Sequence, residues 1–274
     1  MEMKPQTRRV VYSLAVLVWS AVMLYFYASG RVNKYLATDF RPLVLFGGLG
    51  LGVLGLFNLL TAWHEADCGH DHHEDGGAHD HERGSLHPLN ALLLMITPVA
   101  LSVAWTKDEY SVAALSRKGL YETPGNIVSP FDSASKLPES FDDIAKFYRK
   151  TPDGFFELDL MELFFATGDR DFQSLLDGLK VQTVGRLIDE KIRNPNGSRM
   201  RLYRLFITCC AADSRAIPII LEFTGPVPDF PDNSWVKVSG TMRFPMEEGA
   251  IQPVLMVEHL IANEPPPEEN FMRK

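Results

Sequence analysis

The chain has 274 residues, with 35 acidic against 27 basic side chains for a net charge of −8 at pH 7. That length holds a membrane part plus one soluble domain of ordinary size. From Leu120 onward 24 acidic residues face 17 basic ones, which argues against nucleic acid as a partner because phosphates need neutralising. Three cysteines, Cys68, Cys209 and Cys210, do not make a disulfide framework.

Val10–Ser29 carries no charge over about 20 residues, the length a helix needs to cross hydrocarbon. Arg8 and Arg9 precede it and Arg31 follows. A cleaved signal peptide is the rival reading, but Phe26 stands where a small residue is wanted before a cut at Ala28. Pro42–Trp63 is the second predicted span. Its Gly48, Gly52 and Gly55 fall on one helical face and predict close approach by another helix, read here as that of a permease partner. Pro88–Trp105 is the third and shortest span, with Pro98 predicting a kink and Trp105 an interfacial anchor. Three spans make residues 1–106 a transmembrane region of a bacterial plasma membrane protein, in contact with lipid. The amino terminus and soluble domain then lie on opposite faces. Four Lys/Arg on the amino-terminal side against six on the other leave the cytoplasmic face undecided.

Between the second and third spans lies a loop, residues 64–87, with seven histidines (His64, His70, His72, His73, His79, His81, His87), Cys68 and seven carboxylates. Neutral imidazole and thiolate are donors for Zn²⁺, and imidazole also suits copper and nickel. No fixed Cys-x-x-Cys or His-Glu-x-x-His spacing occurs, so the loop reads as a flexible metal collector with interchangeable ligand sets. The alternative is a solvated loop whose histidines are incidental.

Residues 107–150 read as a juxtamembrane linker with helical pieces at Tyr110–Leu120 and Phe141–Lys150. Phe155–Phe165 is densely apolar, and Asp171–Leu179 is helical with Gly178 as a stop. Strand patterns follow at Lys180–Ile188, Arg199–Cys210, Ile217–Phe223, Trp235–Phe244 and Val254–Ile261. Residues 151–264 therefore read as a five-stranded OB-like barrel, with a small sandwich as the alternative. Gly185 and Gly240 mark places where strands coil tightly. The last ten residues, 265–274, read as a mobile, acidic, proline-rich tail.

Within the second strand, alternation puts Cys209 on the face of Tyr203, Leu205 and Ile207, taken as the core, and Cys210 on the face of Arg204, Phe206 and Thr208. A bulge after Thr208 would instead let both sulfurs converge on a metal. A direct bond between adjacent cysteines is strained. His259, the domain's single histidine, reads as a packed or surface residue, and Trp235 as a packing residue. No nucleophile motif or phosphate-cradling glycine loop occurs, so the chain does not read as an enzyme.

Arg204-Leu-Phe-Ile-Thr-Cys209-Cys210-Ala-Ala-Asp213, with Trp235-Val-Lys-Val-Ser-Gly240 after it, resembles the YcgQ-like family of bacterial membrane proteins. The resemblance spans the whole chain and rests on the Cys-Cys-x-Ala-Asp element, with Ser214 where a second alanine is expected. It implies that Arg204, Cys209, Cys210, Asp213, Trp235 and Gly240 are signature positions, and that the partner is a multi-span permease of the YcgR-like kind. The combined expectation is an accessory permease subunit handling zinc, or another divalent transition metal, at the His-rich loop and at Cys209 and Cys210. The alternatives are a thiol-redox protein acting through the two cysteines and a membrane-tethered scaffold.

Overall fold

The structure, a computed structural model, describes residues 5–63, 88–105, 110–122, 138 and 140–272. It divides into two compact units: one of residues 1–33 and 39–108, the other of residues 34–38 and 109–274. The His-rich loop, with His64, Cys68, His70, His72, His73, His79, His81 and His87, lies outside the described residues.

Among the described residues, the α-helices of the first unit are α1 (Pro5–Ala28), α2 (Arg41–Leu60) and α3 (Pro88–Trp105). Two stretches, Gln6–Ala28 and Thr38–Leu60, are long and apolar enough to cross a membrane; the apolar stretch Asn90–Ala104 is shorter. Among the described residues, two such helices, not three, meet that length. Leu43, Phe46, Val53, Phe57 and Leu60 on α2 stay exposed, as suits side chains that meet lipid or another apolar surface.

The predicted glycine face of α2 exists, but α1 of the same chain occupies it. A Cβ on Gly48 would lie 3.0 Å from Leu24, one on Gly52 2.9 Å from Ser20 Oγ, and one on Gly55 2.8 Å from Leu17. The Ser20 hydroxyl donates to the Gly48 carbonyl at 2.7 Å in this buried contact. Small residues let two backbones approach until such a bond forms, and α1 is the nearest apolar helix in sequence. That corrects the assignment of Gly48, Gly52 and Gly55 to a permease. In α3, the Trp19 indole donates to the Met95 carbonyl, one residue from the Leu94 carbonyl that Pro98 cannot serve.

The second unit is mainly β. Short helices precede the sheet: α4 (Val112–Arg117), α5 (Phe141–Phe147), α6 (Leu160–Phe165) and α7 (Arg170–Leu176). Side chains that accept first-turn N–H groups start three of them: Ser111 for α4, Ser140 for α5 and Asp169 for α7. The α7 helix ends two residues before Gly178, whose φ of +83° glycine adopts without strain.

The long strands are β2 (Lys180–Asp189), β3 (Arg199–Ile207), β4 (Arg215–Glu222), β5 (Trp235–Arg243) and β8 (Val254–Ala262). These are the five predicted strands, with shifted ends. Shorter ones are β1 (Phe156–Glu157), β6 (Met246–Glu247), β7 (Ala250–Ile251) and β9 (Phe271–Met272). The seven-stranded sheet runs β1-β2-β5-β8-β4-β3-β9, and β2 also pairs with β3. The five long strands are thus paired in a ring, antiparallel throughout except for the parallel β4–β8 pair.

Each ring strand sends one alternating set of side chains to a common core: Val181 and Leu187, Met200 and Leu202, Ile217, Ile219 and Leu221, Val236, Val238 and Met242, and Leu255. Leu160, Leu163 and Phe164 of α6 with Phe172 and Leu176 of α7 complete it. The opposite faces of β2, β3 and β4 carry a second cluster, where Ile188, Tyr203, Leu205 and Ala216 pack with Leu115 of α4 and with Leu120. Tyr203 and Leu205 therefore face this outer cluster and not the ring's interior, because α4 covers that side. Gly240 sits where the β5–β8 register shifts, and a Cβ there would fall 2.1 Å from the Met256 carbonyl oxygen. Gly240, read as a place where strands coil tightly, is thus a bulge at which the backbones of β5 and β8 leave no room for a Cβ.

Candidate functional site

β3 ends at Ile207, three residues short of the predicted Cys210. The cause is the Asp213 carboxylate, which accepts N–H bonds from Cys209 at 2.8 Å and from Thr208 and Cys210 at 3.3 Å each. Those three donors are taken out of any strand ladder, and the backbone curls into a 3₁₀ turn at Ala211–Asp213. Lys118 braces the far side of the turn, its ammonium donating to the carbonyls of Ala211 at 2.9 Å, Ala212 at 3.2 Å and Ser214 at 3.3 Å. The Tyr110 hydroxyl also donates to Ala211.

The consequence is chemical. In an extended strand two adjacent side chains point apart, whereas here Cys209 Sγ and Cys210 Sγ lie 3.6 Å apart. Ligand atoms of Cys209, Cys210 and Asp213 all lie within 4.8 Å of one another, with both cysteines half-buried and Asp213 exposed. Two thiolates on one tetrahedral zinc, each about 2.3 Å from the ion, stand roughly 3.8 Å apart. The observed spacing matches that edge. Two sulfurs and one carboxylate oxygen would supply three of the four ligands of a tetrahedral ion.

The two thiols differ. The Asp213 carboxylate, and next the Cys210 sulfur, push the Cys209 thiol up to about 12. Cys210 is held below the ordinary thiol value, first by the Ala212 N–H, then by the Cys209 S–H and the Asp213 N–H. Partial burial pushes the Asp213 carboxyl up, but the hydrogen bonds from Cys209, Cys210 and Thr208 outweigh it and hold it below the usual carboxylate range. Of the two thiols, Cys210 is therefore the one that ionises first. A metal ion would displace the Cys209 proton on binding.

Of the other predicted positions, Arg204 does not join the cysteines. Its guanidinium donates to the carbonyls of Glu268 and Glu269 and lies 4.0 Å from the Phe271 ring centroid. It fixes the carboxy-terminal segment, which pairs Phe271 and Met272 with Phe206 and Ile207 of β3. The tail through Met272 is thus docked, not mobile. Trp235, at the start of β5, lies under Arg186 and Arg204 at 5.1 and 5.9 Å, a packing role as read. His259 is exposed on β8, edge-on to Phe155 at 6.1 Å. Sequence reasoning missed Lys118 and the residues 34–38, both of which contact the turn. Neither carries a motif, since their contribution is a lysine stem and backbone groups.

The described residues define a class of chain: apolar amino-terminal helices joined to a mainly β domain whose β3 ends in a two-thiol, one-carboxylate turn. The chain belongs to the DUF1980 family, with the DUF1980 N-terminal domain at residues 11–120 and the DUF1980 C-terminal domain at residues 171–271. The second of these contains the whole turn. Comparison with curated proteins gives no match. Among solved structures, the small single-stranded DNA-binding protein of Streptomyces coelicolor aligns at 9% identity and TM-score 0.24, covering 32% of this chain and 95% of its own. A DUF3299 family protein of Pseudomonas aeruginosa PAO1 aligns at 13% identity and TM-score 0.23, covering 32% of this chain and 64% of its own. At these scores neither likeness bears on fold or function.

Proposed function

We propose that this protein is a non-enzymatic accessory subunit of a membrane permease, and that it handles a divalent transition metal, zinc first, at Cys209, Cys210 and Asp213. The carrying observation is the 3.6 Å approach of the two sulfurs beside the Asp213 carboxylate. Thiolate donors select zinc or copper over hard cations, and the tetrahedral spacing favours zinc. In this reading the ring of five strands is an OB-like barrel that presents the turn, and the apolar helices hold the chain in a bacterial plasma membrane as a multi-pass protein. The His-rich loop, residues 64–87, collects ions as a second site. The permease partner, of the YcgR-like kind, follows from the resemblance to YcgQ-like proteins.

Elemental analysis of the detergent-purified chain tests the reading. Zinc bound by the wild type should fall in Cys209→Ser/Cys210→Ser and, separately, on deletion of residues 64–83. A wild type that binds no metal after incubation with excess ion overturns it.

The unequal thiols favour one second reading, disulfide exchange through Cys210. Ionised thiols attack and neutral ones do not, so this reading requires Cys210 to be alkylated near neutral pH well before Cys209. Equal, slow alkylation of both removes it.

A further inference from the structure

The strand and the 3₁₀ turn are not the only elements that bring the two sulfurs together. The short connection between α1 and α2 forms part of the same structure. Leu36 stands opposite Cys210 in an antiparallel β-bridge. The Ala37 N–H donates to the Cys209 carbonyl at 3.1 Å, and the Ala211 N–H donates to the Tyr35 carbonyl at 2.7 Å. Ala37 is buried at 2% exposure, so this contact is packed as well as hydrogen-bonded. Next to it the Lys34 ammonium pairs with Glu269 at 3.0 Å, and the Asn270 amide donates to the Lys34 carbonyl. The backbone groups on either side of Cys210, the Cys209 carbonyl and the Ala211 N–H, are both committed to the connector.

We propose that the Cys209–Cys210 turn is a metal-responsive clamp on the α1–α2 connector, so that metal occupancy is signalled to the two long apolar helices. The inference rests on the metal-binding reading above and adds its regulation. A bound ion requires residues 208–210 to stay curled with both sulfurs on one side, and the bridge to Leu36 is one of the contacts that keeps them so. Opening the connector releases the turn towards an extended strand, in which the sulfurs point apart. Metal binding and connector opening therefore oppose each other, and the coupling is reciprocal. Along the chain the connector is joined to α1 through residues 29–33 and to α2 through residues 39–40.

The test uses the full chain in detergent with Zn²⁺ as the probe. Hydrogen exchange is read at the Ala37 and Ala211 amides, and bound zinc is measured in the same sample. If the open connector does not bind, zinc at a hundred times its Kd slows exchange by up to about a hundredfold, and about tenfold still registers the clamp. Cys209→Ser/Cys210→Ser should abolish the slowing while its histidine loop remains intact. Ala37→Pro, which removes the bridging donor, should weaken zinc binding at the cysteines by the factor that zinc strengthens the bridge. Cysteine-dependent zinc without slowing at Ala37 overturns the clamp and leaves the metal reading standing. Absence of cysteine-dependent zinc overturns both.

Discussion

Asp213 holds the turn with the same carboxylate that it would offer to an ion. Its two oxygens accept three N–H bonds and the Cys209 thiol, which fills a carboxylate's capacity of about four, and loss of the thiol proton to an ion would free one lone pair. Removing the carboxylate has two effects. Asp213→Ala leaves three donors without their acceptor, and loss of such a cap costs about 1 kcal/mol of stability. It also lets residues 208–210 extend, separating the sulfurs. Asp213→Ala should thus lower both the melting temperature and the zinc bound at the cysteines, measured together by calorimetry and elemental analysis. Asp213→Asn, which keeps one acceptor oxygen, should fall between. Zinc unchanged in Asp213→Ala would mean that the bridge to Leu36 and the brace from Lys118 hold the turn without it. Arg201 shows the opposite use of charge. It is buried against Glu190, donates to the Leu120 carbonyl and lies 4.9 Å from the Tyr121 ring centroid. It ties the segment after α4 to β3, and removing one member of such a pair costs about 3–5 kcal/mol.

At the scale of elements, helix packing and strand pairing use glycine for one reason, the need for backbone to approach closely. On α2, Gly55 meets Leu17 of α1, whereas Gly50 has no atom within 4 Å of an added Cβ. Gly55→Leu should therefore destabilise the α1–α2 pair by about 1–3 kcal/mol through overpacking, and Gly50→Leu should be close to neutral. Denaturant titration of the full chain in detergent reads the difference. Equal effects at the two positions would remove the packing account. In the β domain, the five strands were legible because period-2 patterns and turn residues coincide there. The end of β3 was not. Arg199–Cys210 is continuous in β pattern, and the Asp213 carboxylate, the Lys118 ammonium and the bridge to Leu36 hold the curl past Ile207. The sequence allowed a bulge after Thr208 as one of two outcomes, and the β pattern does not choose between them.

At the scale of the whole molecule, pH acts through ionisable groups that packing has buried. Glu162 of α6 illustrates this for the β domain. Burial pushes its carboxyl above the ordinary 4.5, outweighing the Asp159 N–H and the Tyr148 hydroxyl that favour its anion. A folded-state pKa above the unfolded one means that the folded chain holds more protons in that interval. This contribution to stability is complete below pH 4.5 and is lost as pH rises through the raised value. Glu162→Gln stays neutral throughout, so its melting temperature relative to wild type should rise as pH increases across that mildly acidic window. A constant difference would show that burial of Glu162 carries no proton linkage.

The order of apolar runs, the His-rich loop, the five strands and the Cys-Cys-x-Ala-Asp element are properties of the sequence by itself, because each is written in local pattern or composition. Tertiary structure decided three things that local pattern does not carry. It gave the glycine face of α2 to α1, since a packing face does not specify its partner. It docked the tail on β3 through Arg204 and turned Tyr203 and Leu205 towards α4, because which face of a strand is interior depends on what covers the other. And it brought Cys209, Cys210 and Asp213 together with Lys118 and the 34–38 connector, residues distant in sequence that contribute an ammonium group and backbone bonds to the turn.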